Sequence, residues 1–455
     1  MKILLVEPPA NPHDIVTGVV GLAEPLALEC VASTLSACHE VRILDMRIDR
    51  DLGRELKEFK PDIVGTTSYV TGVYIAKELL RETKRVNPGI FTVVGGHHAT
   101  LIPEDFFEDF VDAVVIGEGE ETFKELTDKL EEGKDITTVS GIAYRKDGSF
   151  FITDERPLLN LDNLPFPRRE LVEKYRDKYF RASWHPITSL YTSRGCPFRC
   201  SFCSMWKVNR GKYRTRSAES VVKELETIPG KYIDFIDDNT LADVARAYKL
   251  CELIKEKGLK KTYKVYARSD TVAKHPDLIK KWKEIGLELI LIGFEAFREK
   301  ELQKWNKKIS IRQNEEALEV LRQNGVESAA YFVIDHDFDK KDFEELSMYV
   351  EKKGLTHPVF TVCIPLPGTD IYKEKKGELS NNYELFDFYH VVQPTKLPKK
   401  EFYRCFVGLY KKAYSPRRLL KSPGKSTGAF SASQIWSKLK YLKGLNSLIK
   451  NAERF

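Results

Sequence analysis

No run of apolar residues in this 455-residue sequence is long enough to cross a bilayer, and no stretch is of low complexity. The first residues, MKILLVEPPANP, also lack the long apolar core and small-residue cleavage site of a signal peptide. We therefore expect a cytoplasmic protein that is soluble or at most peripheral to a membrane. The chain is too long for one ordinary domain, so two or three domains are expected.

Cysteine is too sparse for a secreted disulfide framework. Five of the eight cysteines are scattered, and they are Cys30, Cys38, Cys251, Cys363 and Cys405. A reducing compartment fits this distribution better.

A strong net charge is also lacking, because the formal charge is only +6. A modest excess of this kind does not indicate a nucleic-acid partner, and none is predicted. The charge is unevenly distributed, however. Residues 416–455 contain nine basic residues and a single acidic one, Glu453, so this tail alone carries a net charge of +8.

The first 135 residues alternate short apolar runs with segments of helical spacing, which predicts a doubly wound parallel sheet. Ligands of such sheets bind beyond the carboxyl ends of the strands. The residues predicted at those ends are Pro8, Thr67, Ser68, Gly95, Gly96, His97, His98, Gly117, Glu118 and Gly119. Small residues there let a backbone approach a bulky ligand closely, although each loop taken alone is also explained as a tight turn.

Residues 136–185 are interpreted as a connector with a hairpin and a proline-rich crossing. From residue 186 to 375, six predicted strands alternate with amphipathic helices. Six such units are fewer than the eight of a closed βα-barrel, so a partial (β/α)6 barrel is expected. Residues 376–455 are predicted to be a helical carboxyl-terminal region.

The segment RGCPFRCSFCSMW places Cys196, Cys200 and Cys203 in one loop after a predicted strand. A structural zinc site needs four ligands, and no second close cysteine or histidine pair is present. A disulfide would leave one thiol over. Three thiolates from one loop instead suit a [4Fe–4S] cluster with one open iron, and this hypothesis is preferred to zinc or chance.

The segment GCPFRCSFCS resembles the cluster loop of the radical S-adenosylmethionine (radical SAM) enzymes. The resemblance implies that the open iron binds SAM, whose cleavage gives a 5′-deoxyadenosyl radical. It also implies SAM contacts from Phe202, Asp237, Asp238, Asn239, Arg268, Ser269 and Glu295. The acidic residues have an alternative interpretation as helix caps. The fifth strand, YFVIDHDFDK, lacks the Gly-Pro turn common in the family.

The segments VVGGHHATLIPED and VIGEGEETF resemble the cobalamin-binding domain that precedes the radical domain in one branch of the family. The resemblance implies that the loop residues given above contact cobalamin. The D-x-H-x-x-G signature of cobalt ligation by histidine is lacking. His97 and His98 lie in a glycine loop of the kind through which this branch binds the cofactor with backbone and small residues, so they are expected to contact the corrin rather than to ligate cobalt.

The two cofactors together imply methylation of an unactivated carbon, with electrons from a flavodoxin- or ferredoxin-type donor. Ring formation without methyl transfer is an alternative, and a non-catalytic iron–sulfur carrier or sensor is an alternative of another class. The segments HPVFTVCIPLPGTDIY and HVVQPTKLPKKEFYRCFVGLYKKAY resemble members acting on isoprenoid lipids such as hopanoids.

The end of the chain predicts an amphipathic helix with lysines around its apolar face. The apolar positions are Ile435, Leu439, Leu442, Leu445 and Ile449. Such a helix would suit an anionic membrane surface. The alternative is a helix packed on the barrel with a solvated lysine face.

Overall fold

The structure, a computed structural model, describes residues 1–415 and 432–454, and the side chains of the last helix from residue 439 onward. The amino-terminal strands are β1 (Lys2–Glu7), β2 (Glu40–Asp45), β3 (Ile63–Thr67), β4 (Phe91–Gly95), β5 (Ala113–Val115), β6 (Ile142–Lys146) and β7 (Ser149–Ile152). They form one sheet in the order β2-β1-β3-β4-β5-β6-β7. The first five are parallel.

Helices cover both faces of this sheet, and they are α1 (Leu26–Thr34), α2 (Leu52–Glu58), α3 (Val73–Val86), α4 (His97–Leu101) and α5 (Gly119–Glu131). One apolar core contains residues of α1 and α5, and the other contains residues of α2 and α3. Strand β1 buries four consecutive apolar residues, as a strand between two cores must. The predicted doubly wound sheet is confirmed.

The predicted hairpin, β6 and β7, lies in the segment interpreted as a connector, but it extends the first sheet. Strand β6 pairs antiparallel with β5, so the sheet continues to Ile152 and past the predicted boundary at residue 135. The rest of the connector includes a 3₁₀ segment, Arg169–Lys178. Arg169 donates to Glu24 of the first domain (2.6 Å) and to Glu224 of the second (2.7 Å), so the connector ties the two domains together.

The second sheet consists of β8 (Ile187–Leu190), β9 (Tyr232–Phe235), β10 (Thr262–Arg268), β11 (Leu287–Glu295), β12 (Glu327–Ile334) and β13 (His357–Val362). These strands follow one another in chain order and every pairing is parallel. The predicted six-stranded partial barrel is confirmed.

The helices of the second domain begin with a short turn inside the cysteine loop and then alternate with the strands. They are α6 (Met205–Val208), α7 (Ala218–Thr227), α8 (Val244–Glu256), α9 (Ser269–Lys274), α10 (Pro276–Glu284), α11 (Glu299–Lys304), α12 (Ile311–Gln323), α13 (Lys340–Lys352) and α14 (Asp370–Lys375).

The helical carboxyl-terminal region packs on the barrel through α15 (Lys399–Ala413) and α16 (Ala432–Lys450). Leu445 is buried and Leu442 and Ile449 are partly buried against the barrel core. Leu439, by contrast, is 60% exposed. The described part of α16 therefore matches the packed alternative over most of its apolar face, whereas the predicted position Ile435 lies outside the described side chains. No helix in the described residues is long and apolar enough to cross a membrane.

Candidate active site

The cysteine loop is shaped by glycine and by two aspartates from the end of β9. Gly195 has φ +85°, and a Cβ there would lie 2.1 Å from the Lys212 carbonyl oxygen. Its N–H donates to Asp238 (2.9 Å). Asp237 accepts from the N–H groups of Thr192 (2.6 Å) and Ser193 (2.9 Å). These bonds fix the chain immediately before Cys196.

The roles predicted for these two aspartates separate in the structure. Asp237 is buried and its oxygens accept hydrogen bonds from the chain before the cysteine loop, so it positions the loop rather than facing a cofactor. Asp238 lies beside Cys196 and Cys203. Burial raises the pKa of Asp238 to about 6, which the Gly195 N–H opposes.

The three thiols fit an iron–sulfur cluster. All three are free of disulfides, and burial raises their pKa values, that of Cys203 to about 12. Among the described residues they do not form a group whose ligand atoms all lie within 4.8 Å, as a single ion would require. A larger, thiolate-bound group is consistent with this wider spacing.

Two cations face the thiols from neighbouring strands and loops. The charges of Arg268 and Lys307 oppose the effect of burial on the pKa values of Cys196 and Cys200. The Arg268 guanidinium lies 3.5 Å from the centre of the Phe198 ring. It also donates to the Lys307 carbonyl oxygen (2.7 Å). Such cations are suited to stabilising thiolates and an anionic ligand.

Glu295 and Lys307 form an ion pair at the carboxyl end of β11. The distance between Lys307 Nζ and Glu295 Oε1 is 2.6 Å. Glu295 has φ +61°, and the pairing of β11 with β12 is irregular at this point. A Cβ at Gly293 would clash with Glu295 Oε1 at 2.1 Å. Glycine at position 293 therefore leaves room for the pair. The sequence did not indicate Lys307.

Two buried polar side chains near the strand ends lack partners. Neither the Asn239 amide nitrogen nor its oxygen has a hydrogen-bond partner, and the Ser269 hydroxyl has none. Both residues are at most 1% exposed. Unpaired buried polar groups cost about 1–3 kcal/mol each, so groups of this kind mark places where a ligand supplies the partner.

Phe202 is directed toward the protein interior. Its ring packs edge-on against Trp305 (6.0 Å), and the Ser201 N–H donates to the Trp305 carbonyl oxygen (3.1 Å). This apolar contact anchors the cysteine loop to the segment after α11. A contact of the Phe202 ring with SAM stays a prediction.

The loops of the first sheet meet the cysteine loop. His97 Nε2 lies 2.9 Å from the hydroxyl of Ser204, the residue after Cys203. Its ring stacks on Tyr69 (5.9 Å), which is 65% exposed. Desolvation and the charges of Glu7 from the first domain and Asp238 from the second raise the pKa of the Tyr69 hydroxyl. Tyr69 follows β3 and is therefore exposed at the carboxyl edge of the first sheet, and we call the space between this edge and the cysteine loop the crevice.

The crevice loops are tightly constrained at Gly96. This residue has φ +97°, and a Cβ would lie 2.4 Å from Thr67 Oγ1 and 3.0 Å from the Ser68 nitrogen. Burial and the neighbouring His98 lower the pKa of His97 to about 4, so its imidazole is neutral at pH 7. The loop presents small residues and a neutral ring to the crevice, which suits a large, flat cofactor. The remaining predicted loop residues also lie at this edge of the sheet: Pro8 follows β1, Gly95 ends β4, Gly117 follows β5 and Gly119 begins α5.

Two predicted cobalamin contacts have other partners. His98 is 1% exposed, bonds Asp105 (2.7 Å) and packs against Phe106 and Tyr383, so its side chain is turned away from the crevice. Glu118 binds arginines of the second domain. The partners of His98 and Glu118 could not be predicted from sequence spacing, because they are set by the tertiary structure.

An ion network joins the domains beside the cysteine loop. Glu118 accepts from Arg194 (2.6 Å) and from Arg214 (2.9 Å), and Arg194 also pairs with Glu120. Burial raises the pKa of Glu118, but the hydrogen bond from Arg214 and the charge of Arg194 outweigh it, so the pKa lies below its usual value. Arg194 directly precedes Gly195, so this network also holds the base of the cysteine loop.

A second polar group lies deeper in the barrel. Asp234 and Lys264 are register partners on β9 and β10, and their side chains form an ion pair. Lys264 also donates to the Tyr266 hydroxyl (3.1 Å), while burial lowers the pKa of Lys264 to about 7. Lys264 precedes Arg268 by four strand residues, or roughly 13 Å. The group therefore lies nearer to the amino ends of the strands than Arg268 does.

Replacing Gly96 by alanine is expected to weaken the first domain by about 2 kcal/mol, because a side chain is strained at this φ and meets Thr67 Oγ1. Urea unfolding measures this loss, and the visible spectrum after desalting measures cobalamin retention, which is expected to fall. Gly377→Ala is the matched control, since a Cβ there meets nothing within 4 Å. Equal stability and cobalamin retention in the two variants would contradict the prediction.

The fold and the site together define a radical SAM barrel whose cluster loop faces a cobalamin-type α/β domain. Family models agree with this class: residues 12–127 match the B12 binding domain and residues 190–350 match the radical SAM superfamily. The structure superposes on the cobalamin-dependent SAM radical enzyme OxsB, solved with aqua-cobalamin and SAM bound, with a TM-score of 0.72 at 17% identity, covering 97% of this chain and 71% of that one.

Sequence relatives give the family. The chain is 34% identical to the hopanoid C-3 methylase of Methylococcus capsulatus over 90% of this chain and 81% of that protein. It is 29% identical to the anaerobic magnesium-protoporphyrin IX monomethyl ester cyclase of Rubrivivax gelatinosus over 88% of this chain and 74% of that protein. The chain belongs to the cobalamin-dependent radical SAM methyltransferase family and is an enzyme with cobalamin, SAM and a [4Fe–4S] cluster as cofactors.

Proposed function

We propose that the protein transfers a methyl group to an unactivated carbon of an isoprenoid lipid of the hopanoid type. The observation that carries the proposal is the contact of the two cofactor edges, where His97 of one sheet lies 2.9 Å from Ser204 beside the cluster cysteines. When bound, the cluster and SAM supply a radical that removes a substrate hydrogen atom, and cobalamin supplies the methyl group.

The residues proposed to hold SAM are those that remain available at the strand ends. Asn239 and Ser269 offer unpaired polar atoms. Glu295 offers a carboxylate oriented by Lys307. Asp238 and Arg268 lie beside the thiols. These groups would orient SAM over the open iron and exclude water from the strand ends.

Asn239→Ala is expected to raise the KM for SAM about tenfold, because SAM loses the two amide atoms of Asn239 as hydrogen-bond partners. Steady-state formation of 5′-deoxyadenosine measures this, with cluster iron determined in parallel. Asn446→Ala is the control, since Asn446 lies on α16 and bonds within that helix. An unchanged KM at full iron content would remove Asn239 from the SAM site.

The proposal of a lipid substrate is supported by the similarity to the hopanoid C-3 methylase and by the interior of the barrel. A hopanoid is a rigid, mostly apolar molecule with polar groups at one end. The barrel interior contains a buried polar group, in which Lys264 pairs with Asp234 and donates to the Tyr266 hydroxyl, and this group would bind a polar end of the lipid. The proposal includes a flavodoxin- or ferredoxin-type electron donor and contact of the basic end of the chain with a membrane surface, where Leu439 is exposed.

The decisive experiment supplies methyl-deuterated SAM to the anaerobic, cofactor-loaded enzyme together with purified hopanoids. A product heavier by one labelled methyl group is expected, with formation of 5′-deoxyadenosine. Cofactor-loaded Cys405→Ala serves as the active control and Cys200→Ala as the inactive one. If 5′-deoxyadenosine forms but no lipid gains label, lipid methylation is wrong.

Ring formation is the second candidate, because a cyclase is among the relatives. The same mass spectra separate the two reactions. A product that has lost two hydrogen atoms and carries no label would establish ring formation. Absence of 5′-deoxyadenosine under reduction would instead favour a non-catalytic iron–sulfur protein.

A further inference from the structure

Three metal-binding side chains meet at the edge of the first sheet opposite the crevice. Cys38 and His39 lie immediately before β2, and Glu131 is the last residue of α5. Cofactor loops of this domain follow the carboxyl ends of the strands, whereas Cys38 and His39 precede an amino end. The group is therefore separate from the cobalamin and cluster sites.

The distances between the three ligand atoms suit a tetrahedral ion. Cys38 Sγ lies 3.7 Å from His39 Nδ1 and 3.9 Å from Glu131 Oε1, and His39 Nδ1 lies 3.5 Å from that same oxygen. Zinc ligands at about 2.0–2.3 Å in a tetrahedron are separated by roughly 3.3–3.7 Å. The atoms thus already stand close to the corners of a zinc coordination sphere. Other ligand sets of three with this proximity are absent from the described residues.

His39 is the buried member of the group. Its side chain is fully buried, and its Nε2 atom has no hydrogen-bond partner. The other ring nitrogen, Nδ1, makes the polar contacts of this side chain, with Cys38, Glu131 and the Met1 amino group. A buried imidazole that turns one nitrogen toward a thiol and a carboxylate offers that nitrogen as a metal ligand.

We propose that Cys38, His39 and Glu131 bind a zinc ion, with water as the fourth ligand. On binding, the Cys38 thiol releases its proton to solvent and the thiolate sulfur forms the metal bond; no electron is transferred. Thiolate, imidazole and carboxylate together favour zinc over magnesium or calcium. The ion links the start of β2 to the end of α5 and stabilises the first domain. The Met1 amino group lies 3.2 Å from Glu131 Oε1 and 3.3 Å from His39 Nδ1, so it contacts two of the three ligand atoms and is displaced from them when the ion binds.

The test is zinc binding by the full chain with its cluster and cobalamin in place. The enzyme is reconstituted anaerobically, treated with a chelating resin and titrated with ZnCl₂, while zinc and iron per chain are measured by mass spectrometry. One zinc per chain is expected beyond the cluster iron, with a rise in Tm on loading. With Co²⁺ in place of zinc, thiolate-to-metal charge-transfer absorption is expected.

The variants assign the site. Cys38→Ser and Glu131→Gln are expected to weaken zinc binding about tenfold or more, and Cys38→Ser to remove the charge-transfer absorption, with iron content unchanged. Cys405→Ser, another cysteine that is not fully buried, is expected to bind zinc like the unchanged protein. Wild-type zinc affinity in Cys38→Ser, or failure of the unchanged protein to retain zinc at micromolar concentration, would overturn the proposal.

Discussion

Cys200→Ala is expected to abolish formation of 5′-deoxyadenosine from SAM. Cys200 is the most buried of the three clustered thiols and lies within reach of the charges of Lys307, Glu295 and Arg268. Its loss leaves two thiols, which cannot hold a cluster that needs three protein ligands and an open iron. Anaerobic incubation with dithionite and SAM, followed by chromatography of the nucleosides, measures the result.

Cys405→Ala is the matched control for this experiment. Cys405 lies on α15, outside the cysteine loop, and is expected to leave iron content and nucleoside formation unchanged. Retention of iron and 5′-deoxyadenosine formation by Cys200→Ala would show that the loop does not hold the cluster. If both variants lost iron and 5′-deoxyadenosine formation to the same extent, general misfolding would explain the result.

Arg194→Met is expected to lower the free energy of unfolding by about 3 kcal/mol. The change leaves Glu118 and Glu120 without one of their cationic partners in a partly buried interface, and uncompensated carboxylates are costly there. Because Arg194 directly precedes Gly195, cluster retention is expected to fall as well. Urea unfolding followed by circular dichroism measures stability, and iron analysis measures the cluster.

Arg312→Met is the corresponding surface substitution. Arg312 is 87% exposed and pairs with Glu316 one helical turn away (2.7 Å), so its loss is expected to cost about 0.5 kcal/mol or less. A cost for Arg194→Met as small as that of Arg312→Met would mean that the ion network between the domains does not stabilise the structure.

The sheets and the cysteine loop were predictable from sequence because their signals are local. Apolar runs of four to six residues mark buried parallel strands, and three cysteines within one loop have few interpretations. The hairpin of β6 and β7 was also local, but its addition to the first sheet was not. Its pairing with β5 is decided by tertiary packing, which leaves no periodic trace.

The roles of Asp237, His98 and Glu118 could not be predicted for the same reason. Asp237 bonds residues 45 and 44 positions earlier, and Glu118 bonds Arg194, 76 positions later. Lys307 was missed because it follows Glu295 by twelve residues, beyond an intervening helix. Sequence motifs identified the edge of each sheet that carries the site. Which of the polar residues at that edge bond other parts of the protein depends on how the two edges meet.

The hydrogen bond between His97 and Ser204 has a thermodynamic consequence. It joins a loop that is predicted to contact cobalamin to the residue after the last cluster cysteine, so a shift of one loop on cofactor binding is transmitted directly to the other. Linkage requires the effect to be reciprocal. If cobalamin tightens retention of the cluster by a given factor, the cluster must tighten retention of cobalamin by that same factor.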